Sequence, residues 1–204
     1  MDDIRICGLP EHLELGEDIR RSATATWWFM GDLIGLSKDQ IRKAIQDAFN
    51  SWTKVANCRG VEASTQQQAS LLIAVKQLDG PQGVLADCEL PGPAIQHMRV
   101  DNAEQWTVQL GSNVPANLID IERVLRHELG HFWGIGHISR GNLMAPTYSS
   151  KIWEPQQGDI EEMVGKYGPP IATPSPSPGM PYEMWIKDEQ GIVTSKFRLI
   201  RLPD

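Results

Sequence analysis

Residues 127–137 read His-Glu-Leu-Gly-His-Phe-Trp-Gly-Ile-Gly-His, and no other stretch restricts the fold as tightly. Histidines four residues apart project from one face of a helix and can chelate one ion, so His127 and His131 require helical backbone between them. Six residues on, His137 follows Gly134 and Gly136, which let the chain leave the helix and swing a third imidazole back to the same ion. Three neutral imidazoles form a catalytic zinc set, because they leave the fourth tetrahedral position for water, whereas structural zinc sites close all four. Glu128 lies beside that position as a base. The chain has five histidines, and three of them fall in this pattern, a concentration that a chance match would also have to explain.

The flanking sequence predicts the scaffold. Ala23 to Met30 is rich in Thr and aromatics and ends at Gly31-Asp32, a strand and a turn. Ser37 with Gln40 forms a capping box, and Ile41, Ala44, Ile45, Ala48, Phe49, Trp52 and Val55 recur at helical spacing up to about Asn57. Ser70 to Leu78 is an apolar run of buried-strand length, read as a central strand and closed by Asp79-Gly80-Pro81. Pro91, Gly92 and Pro93 break the region from Gly83 to Asp101, giving a short edge strand near Val84 to Cys88 and then loop. A second helix is expected from about Asn117 to Trp133, stopped by Gly134, and a third from Gly158 to Tyr167, stopped by Gly168-Pro169-Pro170. Residues 169–179 form a Pro/Ser linker, and the alternation in 180–204 suggests a hairpin, marginal in water alone.

At 204 residues with 41% hydrophobic and 22% charged content, the chain has room for one well-buried domain and short extensions. No apolar run approaches the roughly 20 residues of a membrane span. A net charge of −7 argues against nucleic-acid or anionic-membrane partners, which need a basic surface. The first residues have neither a basic leader nor an apolar core of signal-peptide length. Three cysteines, Cys7, Cys58 and Cys88, leave at least one thiol without an intrachain partner, with Cys7 the candidate; whether Cys58 and Cys88 pair stays open.

The spacing His-Glu-x-x-His-x-x-Gly-x-x-His is the metzincin signature, and Asn142-Leu143-Met144-Ala145-Pro146-Thr147-Tyr148 closely resembles the methionine-containing turn of the matrixin branch. Across about residues 22–168 the chain is similar to matrixins: Ala48-Phe49-Asn50-Ser51-Trp52 looks like the end of the family's first helix, and Gly158-Asp159-Ile160 to Tyr167-Gly168 like its last. The resemblance implies an α+β, zincin-like metzincin catalytic domain: a twisted mixed β-sheet with three main helices, one carrying the zinc motif. It implies four segments: a propeptide-like stretch at 1–21, the catalytic domain at 22–168, the linker at 169–179 and the tail at 180–204.

Family residues carry over by position. Asp79-Gly80-Pro81-Gln82-Gly83 and Asp101 to Trp106 line up with the pieces that bind a structural calcium ion, so Asp79, Asp101 and Glu104 would supply carboxylates, with Gly80, Gln82 and Val84 in the same site; oxygen donors suit that hard cation. The family's structural zinc histidines are replaced by Gln77, Asp87 and Arg99, so no second zinc is expected. Arg5-Ile6-Cys7-Gly8-Leu9-Pro10-Glu11 is similar to the segment whose cysteine caps the catalytic zinc in latent matrixins, although Ile6 separates arginine from cysteine and Glu11 stands for aspartate. Cys7 would then keep the enzyme silent until cleavage between about Glu17 and Trp27. Val84, Leu85 and Ala86 would hold substrate backbone by strand addition, Pro146 and Tyr148 would wall the pocket for the side chain after the cut, and Arg123 would lie near its floor.

The expected function is zinc-dependent endopeptidase activity, with one catalytic zinc, a structural calcium, a protein or peptide substrate and a monomeric chain; the resemblance suggests an extracellular location. Two other readings compete: a non-catalytic zinc-binding docking domain, and a metallohydrolase of a non-peptide amide.

Overall fold

The computed structural model describes residues 7–9, 22–92, 94–108, 114–115, 117–149 and 151–171, and the backbone of 181–187 and 193–200. Strand β1 (Thr24–Met30) leads into helix α1 (Lys38–Thr53), whose Ser37 and Gln40 make the reciprocal capping box expected of them. The apolar stripe of α1 buries Ile41, Ala44, Ile45, Ala48, Phe49 and Trp52; full burial of Ile41, Ile45 and Phe49 contributes about 1.5–3 kcal/mol each. The helix stops at Thr53, short of Asn57, because the N–H groups of Val55 and Ala56 both turn back to the Trp52 carbonyl.

Four more strands complete the main sheet: β2 (Arg59–Glu62), β3 (Leu71–Lys76), β4 (Ala86–Cys88) and β5 (Gln96–Asp101), in the order β2-β1-β3-β5-β4. All neighbours are parallel except β4, which runs antiparallel to β5 and forms one edge. Strand β3 is central, as its unbroken apolar run requires. Two expectations need correction. The edge strand is shorter than Val84 to Cys88, because the Val84 N–H is taken by the Asp79 carboxylate. The region after Pro93, expected to be loop, holds β5; its side chains alternate buried and exposed from Gln96 to Arg99, a period-2 signal that the Pro91-Gly92-Pro93 break obscured.

Two short strands, β6 (Trp106–Thr107) and β7 (Ile119–Asp120), pair in parallel. They feed helix α2 (Ile121–Phe132). This helix starts later than Asn117 because Asp120 is its N-cap, accepting from the Glu122 and Arg123 N–H groups. It ends where Gly134 adopts φ of 88°, which glycine alone takes without strain. Every residue of α2 is buried, including Glu122, Arg123, Arg126, His127, Glu128 and His131. Burying so many ionisable groups is expensive, so their placement must serve something other than packing. The Trp52 indole N–H donates to the Arg126 carbonyl at 2.9 Å, which ties α1 to α2. Helix α3 (Gln157–Tyr167) follows and is stopped by Gly168. These elements give the expected α+β architecture, a mixed sheet with three helices.

The chain clusters into two units, Met1–Pro170 and Ile171–Asp204. In the second, β8 (Pro181–Lys187) and β9 (Val193–Ile200) pair antiparallel from Pro181↔Ile200 to Lys187↔Val193, with an irregularity at Ile186/Lys187. Most of the expected propeptide-like stretch (1–6 and 10–21) and of the linker (172–179) lies outside the described residues, as do Glu17 to Arg21 of the expected cleavage region. Among the described residues, no helix is long and apolar enough to cross a membrane.

Candidate metal centre

Helix α2 sets His127 and His131 one turn apart, both fully buried. Each Nδ1 faces a carbonyl oxygen, Leu143 O at 2.9 Å for His127 and Ile135 O at 2.8 Å for His131. A carbonyl only accepts, so each Nδ1 carries the proton and each Nε2 presents a lone pair. Those two Nε2 atoms lie 3.1 Å apart. Facing lone pairs repel unless a cation sits between them. Burial and the neighbouring imidazoles push both histidines down, His127 well below its usual value and His131 to about 3, so both stay neutral and available as ligands.

The turn at Gly134 brings His137 back, its ring centroid 4.9 Å from that of His131 and 5.5 Å from that of His127. A fourth donor arrives from far upstream: Cys7 Sγ lies 3.1 Å from His137 Nε2 and 3.5 Å from His131 Nε2. The four ligand atoms all lie within 4.8 Å of one another, the group among the described residues able to hold a metal ion. Zinc bonds of roughly 2.0–2.1 Å to nitrogen and 2.3 Å to sulfur make tetrahedral edges of about 3.3 and 3.6 Å. The donor set fits zinc. Cys7 also forms a parallel bridge with Ala86 of the edge strand, which accounts for its complete burial.

Glu128 is fully buried, and neither carboxylate oxygen has a hydrogen-bond partner among the described residues. Burial, reinforced by the charge of Asp87, holds it well above the usual carboxylate range. An orphaned carboxylate is costly in a packed interior.

Met144 packs beneath the helix, against Gly130: a Cβ on that glycine would stand 2.2 Å from Met144 Sδ. Sequence reasoning missed the group that fixes this turn. Asp159, at the start of α3, accepts from the N–H groups of Leu143 at 2.7 Å, Met144 at 3.0 Å and Gln156 at 2.7 Å. It thereby positions the Leu143 carbonyl that orients His127. Its signal was its place three residues after the Gln156 N-cap, which reads first as capping.

The other sequence-predicted residues separate into groups. Pro146 is half-buried and Tyr148 buried, and the Tyr148 ring lies under the Arg123 guanidinium, 4.4 Å from its centroid. Arg123 is 2% exposed. Asp79, Asp101 and Glu104 gather on the 79–84 turn: Asp101 Oδ2 accepts from the Asp79 and Gly80 N–H groups at 3.3 Å, and Glu104 Oε1 from that of Gln82 at 2.6 Å. Burial and the charges of Asp101 and Asp79 raise the Glu104 carboxyl against that hydrogen bond, the situation a divalent cation relieves. Leu85 and Ala86 are buried at the β4 edge. Gln77 is exposed, while Asp87 and Arg99 face each other across β4 and β5 in a two-point ion pair. None of the three cysteines is in a disulfide, and burial lifts the Cys58 thiol to about 12.

Residues 19–168 match the family model described as Matrixin. The chain is 33% identical over 162 residues to neutrophil collagenase of Homo sapiens, covering 72% of this chain and 33% of that protein. It is 29% identical over 178 residues to interstitial collagenase of Sus scrofa (80% and 36%), and 27% identical over 187 residues to stromelysin-1 of Mus musculus (82% and 38%). The chain thus spans about a third of the length of the curated relatives it matches.

Proposed function

The chain belongs to the matrixin family of metalloendopeptidases, and from that premise we propose that it is a zinc-dependent endopeptidase held latent by Cys7. The observation that carries the reading is the pair of Nε2 lone pairs of His127 and His131, 3.1 Å apart, with Glu128 next in sequence on the same helix, buried and without a hydrogen-bond partner at either carboxylate oxygen among the described residues.

His127, His131 and His137 would hold the zinc, which supplies the Lewis acidity that brings the pKa of water from about 15.7 towards 7. Glu128 takes the proton of the attacking water at its carboxylate, and its burial favours keeping that proton until the leaving amine accepts it. General acid–base transfer of this kind contributes roughly 10²- to 10⁴-fold. The β4 edge at Leu85 and Ala86 aligns the peptide backbone by strand addition, and Pro146 and Tyr148 wall the pocket next to the scissile bond. Cys7 Sγ, seated against His131 and His137, fills the position that substrate and water need. Asp79, Asp101 and Glu104, with the 79–84 turn, form the calcium site. The substrate is a protein or peptide, met outside the cell by a monomeric chain.

The test uses the full chain carrying Cys7→Ser, loaded with zinc, cut by limited proteolysis between residues 9 and 22 so that the piece seated on Ala86 can leave, and then incubated with a peptide library. Cleavage that is lost in a Cys7→Ser/Glu128→Ala chain supports the reading. Zinc binding without any cleavage would favour a docking domain, and turnover confined to non-peptide amides would favour the other hydrolase reading.

A further inference from the structure

The main sheet has two faces, and the helices pack on one. Trp27, Phe29, Leu71, Ile73, Met98 and Val100 belong to the core shared with α1 and α2. Alternate residues of a strand point the other way, and there Trp28, Met30 and Leu72 form a small separate cluster with Ala63 and Ala69 that includes no residue of the three helices. Strands β1, β3 and β5 are parallel to one another, and parallel strands are ordinarily covered on both faces.

The register explains the shape of this second face. Met30, Ala74, Arg99 and Asp87 stand in one row across β1, β3, β5 and β4, with Trp28, Leu72 and His97 in the next. Ala74 is the small residue between two long neighbours, and a cavity of about 470 Å³ opens there, with Met30, Leu72 and Ala74 as its apolar lining. Leu72 and Ala74 are each 8% exposed, so they form its floor. The volume falls within the roughly 300–1,000 Å³ of small-molecule pockets.

The rim of the cavity is charged, with Lys76, Glu89, His97 and Arg99 around it, and these charges do not balance. Arg99 is held by Asp87 in a two-point pair. Glu89 accepts from the His97 backbone N–H at 2.8 Å, and its carboxylate lies 3.0 Å from His97 Nδ1. Lys76 is exposed and in no ion pair among the described residues. Asp101, opposite it on β5, is buried and accepts from the N–H groups of Asp79 and Gly80 instead. Lys76 thus stands beside an apolar floor as a cation without an acid.

We propose that this cavity binds a medium-chain fatty carboxylate, with the alkyl chain over Met30, Leu72 and Ala74 and the carboxylate at Lys76. Apolar area removed from water supplies the affinity. Charge selects the headgroup: an alcohol leaves Lys76 unpaired and an ammonium opposes it, whereas the rim acids are already engaged by Arg99 and His97. The site lies on the sheet face opposite the core that α2 shares, so it does not depend on the endopeptidase reading.

Calorimetry of the full, zinc-loaded chain with octanoate, decanoate and decanol tests it. Decanoate is expected to bind one-to-one and about fifteenfold more tightly than octanoate, since each buried methylene contributes roughly fourfold. Lys76→Gln should weaken decanoate about threefold and leave decanol unchanged. Ala74→Met, which fills the floor, should weaken both at least about tenfold. Zinc affinity should match the parent in both variants, which shows that the fold is kept; Lys76 is exposed, so its variant decides even if Ala74→Met fails to fold. Absence of saturable binding overturns the proposal. Binding that neither substitution alters also overturns it, because the ligand then sits elsewhere. If nothing binds and the chain sediments as a dimer that Ala74→Lys dissociates, a second copy covers this face instead.

Discussion

Gly130→Ala sets two physical effects of opposite sign against each other inside the metal centre. Gly130 lies within α2 and is absent from the positive-φ positions, so on backbone grounds alone alanine should stabilise by about 1 kcal/mol. Packing opposes this. The added Cβ would sit 2.2 Å from Met144 Sδ, 2.7 Å from its Cε and 3.3 Å from Trp52 Cζ2, so the thioether must retreat by roughly 1.5 Å to reach ordinary van der Waals separation. Met144 and Trp52 are both 0% exposed, and the retreat has nowhere to go without moving the turn. Overpacking of this kind costs about 1–3 kcal/mol, giving a net loss of up to about 2 kcal/mol and a Tm lower by up to roughly 8 °C for a chain of this size. The turn also carries the Leu143 carbonyl that orients His127, and disturbing such a partner typically weakens metal affinity 10- to 100-fold. Thermal unfolding with and without zinc, and a competitive zinc titration, measure both. In a Met144→Ala background the clash is gone, and Gly130→Ala should there stabilise, a coupling that a double-mutant cycle reads directly. A higher Tm in the single variant, or no coupling to position 144, would refute the reasoning.

Three further outcomes are expected. Asp159→Ala strands two buried N–H groups, those of Leu143 and Met144, at roughly 1–3 kcal/mol each and frees the part-buried one of Gln156, so denaturant unfolding should show a loss of about 2 kcal/mol or more, with weakened zinc binding because the Leu143 carbonyl is released. Burial lifts the Glu122 carboxyl from 4.5 to about 7 against the attraction of Arg126, so the native state holds a proton that the unfolded chain has shed; stability should therefore decline as pH rises from about 4.5 through 7. Glu122→Gln should flatten that part of the urea-unfolding profile, and parallel profiles would reject the assignment. Calcium should raise the Tm of the parent chain and raise that of Glu104→Gln markedly less, as followed by calorimetry.

Much of the centre was legible because its chemistry demands a spacing. Histidines at 127 and 131 must share a helix face, and Gly134 must end that helix; the structure places both accordingly. Helix α1 was equally readable, since Ser37, Gln40 and the apolar stripe are local signals. Strand β5 was not, because its alternation begins just after a Pro-Gly-Pro break and its burial depends on parallel pairing with β3, more than twenty residues upstream. The start of α2 was displaced for a related reason: Ile119 and Asp120 pair with β6, so residues with helical neighbours are held extended. The anchoring of the Leu143–Met144 turn by Asp159 is a property of three-dimensional surroundings, and no spacing rule announces it.

The bridge between Cys7 and Ala86 means that the open edge of β4 already has an occupant supplied by the same chain. A covalently attached occupant stands at an effective concentration in the millimolar range, and a free peptide at micromolar levels competes with it at a disadvantage of about a thousandfold. Breaking the backbone between residues 9 and 22 would abolish that advantage, since the released piece could be diluted away.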